Sequence, residues 1–310
     1  MNLIYSFYIP QTEHLVNLCK VSNNLYNQAL YLFRQTLKNE NKWLWYADMD
    51  KLMKTTPNLE GEINYKLLKA QVSQQILKVL DKNIKAYCKA IKDFKAYPAK
   101  YKAMPQLPSF RKRGGLFNLY YPNQSARIKN GIICLAKDLI IPIPQWGKYK
   151  ERIQNFQHVR ILPSGKKLKV EIVYRQEVKD TDLDKSGYAS IDLGIDNLAT
   201  MVTDKGSFLY SGKFLKSYNR NFNRRLAKLQ SIKDKQGIKK ATKRMQGLYE
   251  NRERYFEDAF HKYSRMIVNH LIENRIGNLV VGYNTGWKQS VNIGKRNNQK
   301  FVQIPFARLA

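Results

Sequence analysis

The stretch Tyr188–Ile195, YASIDLGI, is hydrophobic and carries a single acid, Asp192. An ionised carboxylate in an apolar strand is costly unless it is paired or binds metal. The chemistry this permits is phosphodiester cleavage. Carboxylates at the ends of adjacent strands hold two divalent ions about 4 Å apart, and these stabilise the attacking and leaving oxygens at phosphorus. Asp192 suits the first carboxylate position, and Gly194 lets the backbone open beside it. The alternative is that Asp192 caps a turn. Asp196, past the glycine, is expected to close the turn.

A second group of residues points to phosphate. Lys78, Lys82, Lys85, Lys89 and Lys92 are spaced by four, three, four and three, which places them on one face of a helix. They are either a row of phosphate contacts or a solvated face. Arg111, Lys112, Arg113, Arg127, Arg224 and Arg225 are further candidate nucleic-acid contacts. Lys and Arg number 55 against 24 Asp and Glu, a net charge of +31, and neither residues 1–187 nor 188–310 come close to neutral. That excess calls for a polyanionic partner. Twenty tyrosines among the cations add faces on which unpaired bases stack.

Composition also excludes classes. With 43% hydrophobic residues the chain is globular, not a disordered basic tail. Cys19, Cys88 and Cys134 form no C-x-x-C pair, so neither a zinc site nor a disulfide framework is expected. The N-terminus MNLIYSFYIPQTEH lacks the basic start and small-residue cleavage site of a leader, and no apolar run is long enough to span a bilayer. A cytoplasmic protein without membrane contact is expected.

The elements that must position these residues follow from periodicity. Leu3, Tyr5, Phe7 and Ile9 alternate as a strand. From Thr12, a plausible N-cap, the apolar spacing turns helical through Phe33. A short helix is expected around Trp43–Lys54 and a long one over Tyr65–Tyr97. The Pro- and Gly-rich stretch 98–115 reads as a linker ordered on a partner. Strands are expected near 116–121, 126–135, 139–143, 156–162 and 167–175, suggesting a small β-barrel that the strand at 3–9 can join. Asp180, Asp182 and Asp184 mark a boundary. Beyond it come strands at 188–195, 198–203 and 207–210, basic helices near Ser217–Lys235 and Lys239–Asn274, and a strand at Asn278–Tyr283. Three strands, helices and a buried strand describe the first part of an RNase H-like domain. His261 reads as a core or helix-surface histidine, and Trp287, beside Lys288, either packs beneath a following helix or forms an aromatic nucleic-acid contact.

The run SIDLGIDNLATMVTD (190–204) resembles the first RuvC motif of the TnpB (OrfB) family, relatives of the type V CRISPR effectors. SNNLYNQALYLFRQ (22–35), QVSQQILKVLDKN (71–83), NQSARIKNGIICL (123–135) and GYNTGWKQSVNIGKRNNQKFVQIPFARL (282–309) are similar to one branch of it. The resemblance implies an α+β fold. Residues 1–10 and 98–180 would form a wedge-like β-barrel, 11–97 an inserted helical recognition bundle, and 186–310 the N-terminal part of a RuvC nuclease domain. It also implies a guide RNA, a double-stranded DNA target and Mg²⁺-dependent cleavage, with Asp192 as catalytic metal ligand.

The departures are as informative. Gly282 stands where much of the family has a Glu, and no acid follows Glu273. The chain therefore reads as C-terminally shortened, without the second and third catalytic acids or the zinc ribbon. Two ions are not expected on Asp192 alone, and no cleavage is expected unless something, such as a second polypeptide, completes the site. The functional readings are a TnpB-like binder of guide RNA and DNA inactive by itself, a nuclease-deficient RNA-guided repressor, and a generic RNA-binding protein. The open apolar residues of such a domain are expected to be Val280, Val281 and Phe301.

Overall fold

Alternating apolar and polar side chains make strand β1 (Asn2–Pro10), and Thr12 then switches the chain into helix α1 (Glu13–Glu40). The Thr12 hydroxyl accepts from the Leu15 amide at 3.4 Å, satisfying one orphan donor of the first turn. A computed structural model describes residues 1–136, 139–177, 182–284 and 292–310. The chain divides into two compact units, Met1–Val178 and Lys179–Ala310.

In the first unit, α1 is followed by α2 (Tyr46–Met53), α3 (Ala70–Ala96) and a short 3₁₀ turn at Pro98–Lys100. The strands are β2 (Leu119–Pro122), β3 (Arg127–Lys129), β4 (Ile132–Cys134), β5 (Ile140–Pro142), β6 (Phe156–Ser164) and β7 (Lys167–Arg175), with helix α4 (Trp146–Ile153) before β6. β1 pairs antiparallel with β7 from Asn2↔Arg175 to Pro10↔Lys167. The helices α1–α3 thus fall in sequence between two strands of one sheet, ordered β1-β7-β6-β2. A second sheet is ordered β3-β4-β5. The expected barrel is not observed: β1 and β2 are the edges of the first sheet, no described pairing joins them, and the second sheet is separate. The stretch 126–135, read as one strand, is a hairpin. Asn130 and Gly131 take positive φ, 51° and 77°, as a two-residue turn between Lys129 and Ile132 requires.

The core of this unit joins one face of α1 (Leu25, Leu30, Phe33) to one face of α3 (Val72, Ile76, Leu80) and to the inner residues of β7 (Val170, Ile172). α3 begins five residues later than its periodicity suggests. The Ser73 hydroxyl donates to the Tyr65 carbonyl, and the Tyr65 hydroxyl donates to Asp50 at 2.7 Å, holding that segment as a turn. Asp81 of α3 is buried, and it accepts from the Tyr46 amide at 3.0 Å. A carboxylate on one helix thus caps the first turn of another.

Residues 98–115 were expected to order on a partner. Their C-terminal half is instead strapped to α1. Asn27 exchanges two hydrogen bonds with the Arg111 backbone, at 3.0 and 2.8 Å. Asn23 donates to the Lys112 carbonyl and Arg34 to the Pro108 carbonyl.

The second unit opens with β8 (Asp184–Leu193), β9 (Asn197–Thr203) and β10 (Gly206–Ser211), then α5 (Lys213–Lys235) and α6 (Lys243–Glu273). β11 (Ile276–Gly282) and α7 (Lys295–Val302) follow, with a 3₁₀ turn at Phe306–Arg308. The sheet order is β10-β9-β8-β11. β8, β9 and β10 run antiparallel, and β11 returns parallel to β8 after the two helices. Ala189, Ile191, Leu193 and Met201 pack in one cluster with Phe256, Phe260 and Ile267 of α6. An aromatic series zips α5 to α6: Tyr218 lies flat on Tyr255 at 3.9 Å, and Phe214 stacks on Tyr263. Asp182 pairs with Arg275 at 2.6 Å, and Asp184 accepts two bonds from Ser186, so these acids anchor the start of β8. Asp180 lies outside the described residues.

Of the three apolar residues expected to lie open, only Val280 does. Val281 and Phe301 are half-buried against the core, and Phe306 beside Phe301 is fully buried. Val280, Val202 and Leu209 are exposed on the sheet. No described helix is long and apolar enough to cross a membrane.

Replacing Asp81 by Ala leaves the Tyr46 amide, in the first turn of α2, without its acceptor and should cost about 2 kcal/mol in denaturant unfolding. Lys85 pairs with the same carboxylate at 2.7 Å but is itself exposed, so Lys85→Ala should cost well under about 1 kcal/mol. Equal losses for the two variants would contradict the capping role.

Candidate nucleic-acid and metal site

Along β8 the buried residues are Ala189, Ile191 and Leu193, and the exposed ones Tyr188, Ser190 and Asp192. Asp192 therefore stands on the open face of the sheet. The burial cost inferred from the apolar run does not arise, because the period of two turns this one carboxylate outward.

Its cross-strand neighbours are Thr200 on β9 and Gly282 on β11. A Cβ built on Gly282 would lie 3.7 Å from Asp192 Oδ1 and 3.1 Å from the Ile191 carbonyl oxygen. The position beside the carboxylate thus holds no side chain, and one placed there would need the Ile191 carbonyl to give by a few tenths of an ångström. Among the described residues no group of three or more His, Cys, Asp or Glu comes together. A hydroxyl and a bare glycine beside one carboxylate do not fit a two-ion centre.

The turn after Asp192 is tightly specified. A Cβ on Gly194 would lie 2.7 Å from the Asn197 carbonyl oxygen, so only glycine fits. The Asp196 carbonyl accepts from the Gly212 amide at 2.7 Å, and its carboxylate takes the Lys216 ammonium at 2.6 Å. Gly212, at the head of α5, is packed directly on the Ile195 carbonyl.

In the first unit, Lys78, Lys82, Lys85, Lys89 and Lys92 are all exposed on α3. Lys85 pairs with Asp81, so the stripe is not free of acid. Lys78 lies over the Tyr46 ring at 5.2 Å and Lys85 over the Trp45 ring at 5.6 Å. Trp45, partly exposed and stacked on Trp43, gives the stripe an aromatic border. The cue for it was the run Trp43-Leu44-Trp45-Tyr46 ahead of α2.

Arg111 spends its guanidinium on the Phe117 ring, 3.8 Å from the centroid, while remaining solvent-accessible. Lys112 and Arg113 are exposed on the strap, and Arg127 on β3. Arg224 donates to Asn221 on its own helix; Arg225 is exposed. His261 is exposed on the surface of α6. Trp287 and Lys288 lie outside the described residues. The α3 stripe and strap belong to the first unit, and Asp192, Arg224 and Arg225 to the second.

Residues 171–288 match the family model OrfB_IS605, described as a probable transposase. That segment resembles the OrfB_IS605 transposases. A Cas12f1–sgRNA–target DNA complex aligns over 96% of this chain and 71% of that one, at TM-score 0.53 and 13% identity. That likeness is one of fold, a Cas12f-like mixture of α and β. A CRISPR-Cas12f ternary complex covers 96% of the chain and 67% of its own, at 14% identity, but its TM-score of 0.32 adds nothing to the fold assignment. No curated protein matches the chain.

Gly282→Glu should place a second carboxylate beside Asp192. Calorimetry should then show Mn²⁺ binding at least about tenfold tighter than in the unaltered chain, abolished by adding Asp192→Ala. Unchanged binding in the single variant would mean that the two strand ends do not converge on one ion.

Proposed function

We propose that this chain is a transposon-associated, RNA-guided DNA-binding protein whose described residues do not by themselves form a cutting centre. The observation that carries the reading is Asp192 on the open face of β8, inside the TnpB-like segment, with Thr200 and Gly282 as its flanking neighbours. The net charge of +31 supports a polyanionic partner, and the fold shared with a protein solved in complex with sgRNA and target DNA supports guide RNA and double-stranded DNA as that partner.

In this reading residues 11–97 are the recognition insertion and 186–310 the N-terminal part of a RuvC-type domain. The lysine stripe, Arg111, Lys112, Arg113, Arg127, Arg224 and Arg225 follow phosphates. Asp192 is one ligand of a divalent ion of the Mg²⁺ class, and the residues beside it supply no second carboxylate. The comparisons lend no support to a second polypeptide partner. A nuclease-deficient, repressor-like role is the second reading, favoured by the bare Gly282.

Two measurements test this. RNA binding by the full chain should weaken steeply with salt, each neutralised phosphate adding about 0.7 to the log–log slope on single strands. A flat dependence would refute the polyanion reading. Guide-matched DNA should remain intact with Mg²⁺, whereas cutting that Asp192→Ala abolishes would overturn the inactive assignment.

A further inference from the structure

We propose that the cleft between α5 and α7 is a phosphate clamp that seats one strand of a polynucleotide at the end of the sheet where Asp192 stands. The proposal rests on the nucleic-acid reading above and adds a site to it.

The cleft has a volume of about 610 Å³ and is lined by Lys213, Lys216, Asn219, Arg220, Asn223 and Gln299. That is within the roughly 300–1,000 Å³ typical of ligand sites. Lys213, Lys216 and Arg220 follow each other by three and four residues, so all three cations lie on one face of α5. The first turn of that 23-residue helix carries no acid. These side chains are cations and amides, and the Ser217 hydroxyl joins them, a donor set matched to phosphate oxygens.

The base of the cleft is rigid. Asn219 is buried, and it and Asn223 both donate to Gln303 Oε1 at 2.8 Å. Arg252 donates to Asn219 Oδ1 and to the Gln303 carbonyl, while its guanidinium lies over Phe222 and Phe256. Burial, with the nearby Arg308 charge, lowers the pKa of Arg252, yet the group stays charged at neutral pH. A fixed positive charge therefore lies under a floor whose amides are already oriented. A merely solvated helix face needs no such support.

Position supplies the rest. Lys216 is tied to Asp196, and the residue before α5 is bonded to the same turn. That turn begins two residues after Asp192. One wall of the cleft is thus anchored to the end of the strand that carries the carboxylate. A strand held by Lys213 and Arg220 would run past that end of the sheet.

The test is a salt titration of binding to a labelled single-stranded oligothymidylate, using the full chain. Lys213→Ala with Arg220→Ala should lower the log–log slope by about 1.4, two contacts at about 0.7 each. The charge-preserving pair Lys213→Arg with Arg220→Lys should restore most of it. Lys239→Ala with Lys240→Ala, on the exposed α5–α6 loop of the same unit, should change the slope much less. A steep slope in the unaltered chain that survives the first pair, or falls equally with the loop pair, would overturn the clamp alone. A flat slope in the unaltered chain would overturn the nucleic-acid reading and the clamp with it.

Discussion

A strand offers its side chains alternately to two surroundings, and the site in this protein depends on how β8 uses that fact. Ala189, Ile191 and Leu193 go inward to the cluster that includes α6, which leaves Asp192 on the outward face. The same constraint fixes its company. Antiparallel β9 brings Thr200 alongside, and parallel β11 brings Gly282. What Asp192 can bind is therefore decided by the residue types at two register positions on neighbouring strands. Two divalent ions need several carboxylates to offset their mutual repulsion, and these positions provide none.

Around that strand the basic helices of the second unit are held largely by ring and amide contacts, with a few ion pairs such as Lys216–Asp196. The rings of α5 and α6 stack on one another, and Arg252 is kept by aromatic faces and amides instead of an acid. The first unit follows the same economy. α2 is fastened to α3 through Asp81, and the basic strap 107–116 is fastened to α1 by Asn23, Asn27 and Arg34. Structural hydrogen bonds are made mostly by backbone and amide groups. The lysines of the α3 stripe and Lys112, Arg113, Arg127 and Arg225 stay exposed to solvent.

Much of this was legible in the sequence, for reasons specific to each element. The alternation at 3–9 and 167–175 and the Thr12 cap are local signals, and the strands and helix lie where those signals put them. The barrel was not legible, because closure depends on whether two distant edge strands pair, and no local pattern reports that. The Asn130-Gly131 turn was legible but was passed over inside an apolar stretch. Asp192 was misjudged as costly because the run was read as wholly buried. The alternation of Ala189, Ile191 and Leu193 already separated it from them. The strap could not be foreseen, since amides on a helix face do not announce which backbone they will hold. The basic cleft was missed because its floor is completed by Gln303, far along the chain from α5.

Sequencing the RNA that co-purifies with the full chain, expressed together with its flanking DNA, tests the central claim most directly. One discrete transcript read from that flanking DNA is the predicted result. A heterogeneous mixture of cellular RNA, or no RNA at all, would contradict the account of a guide-bound protein.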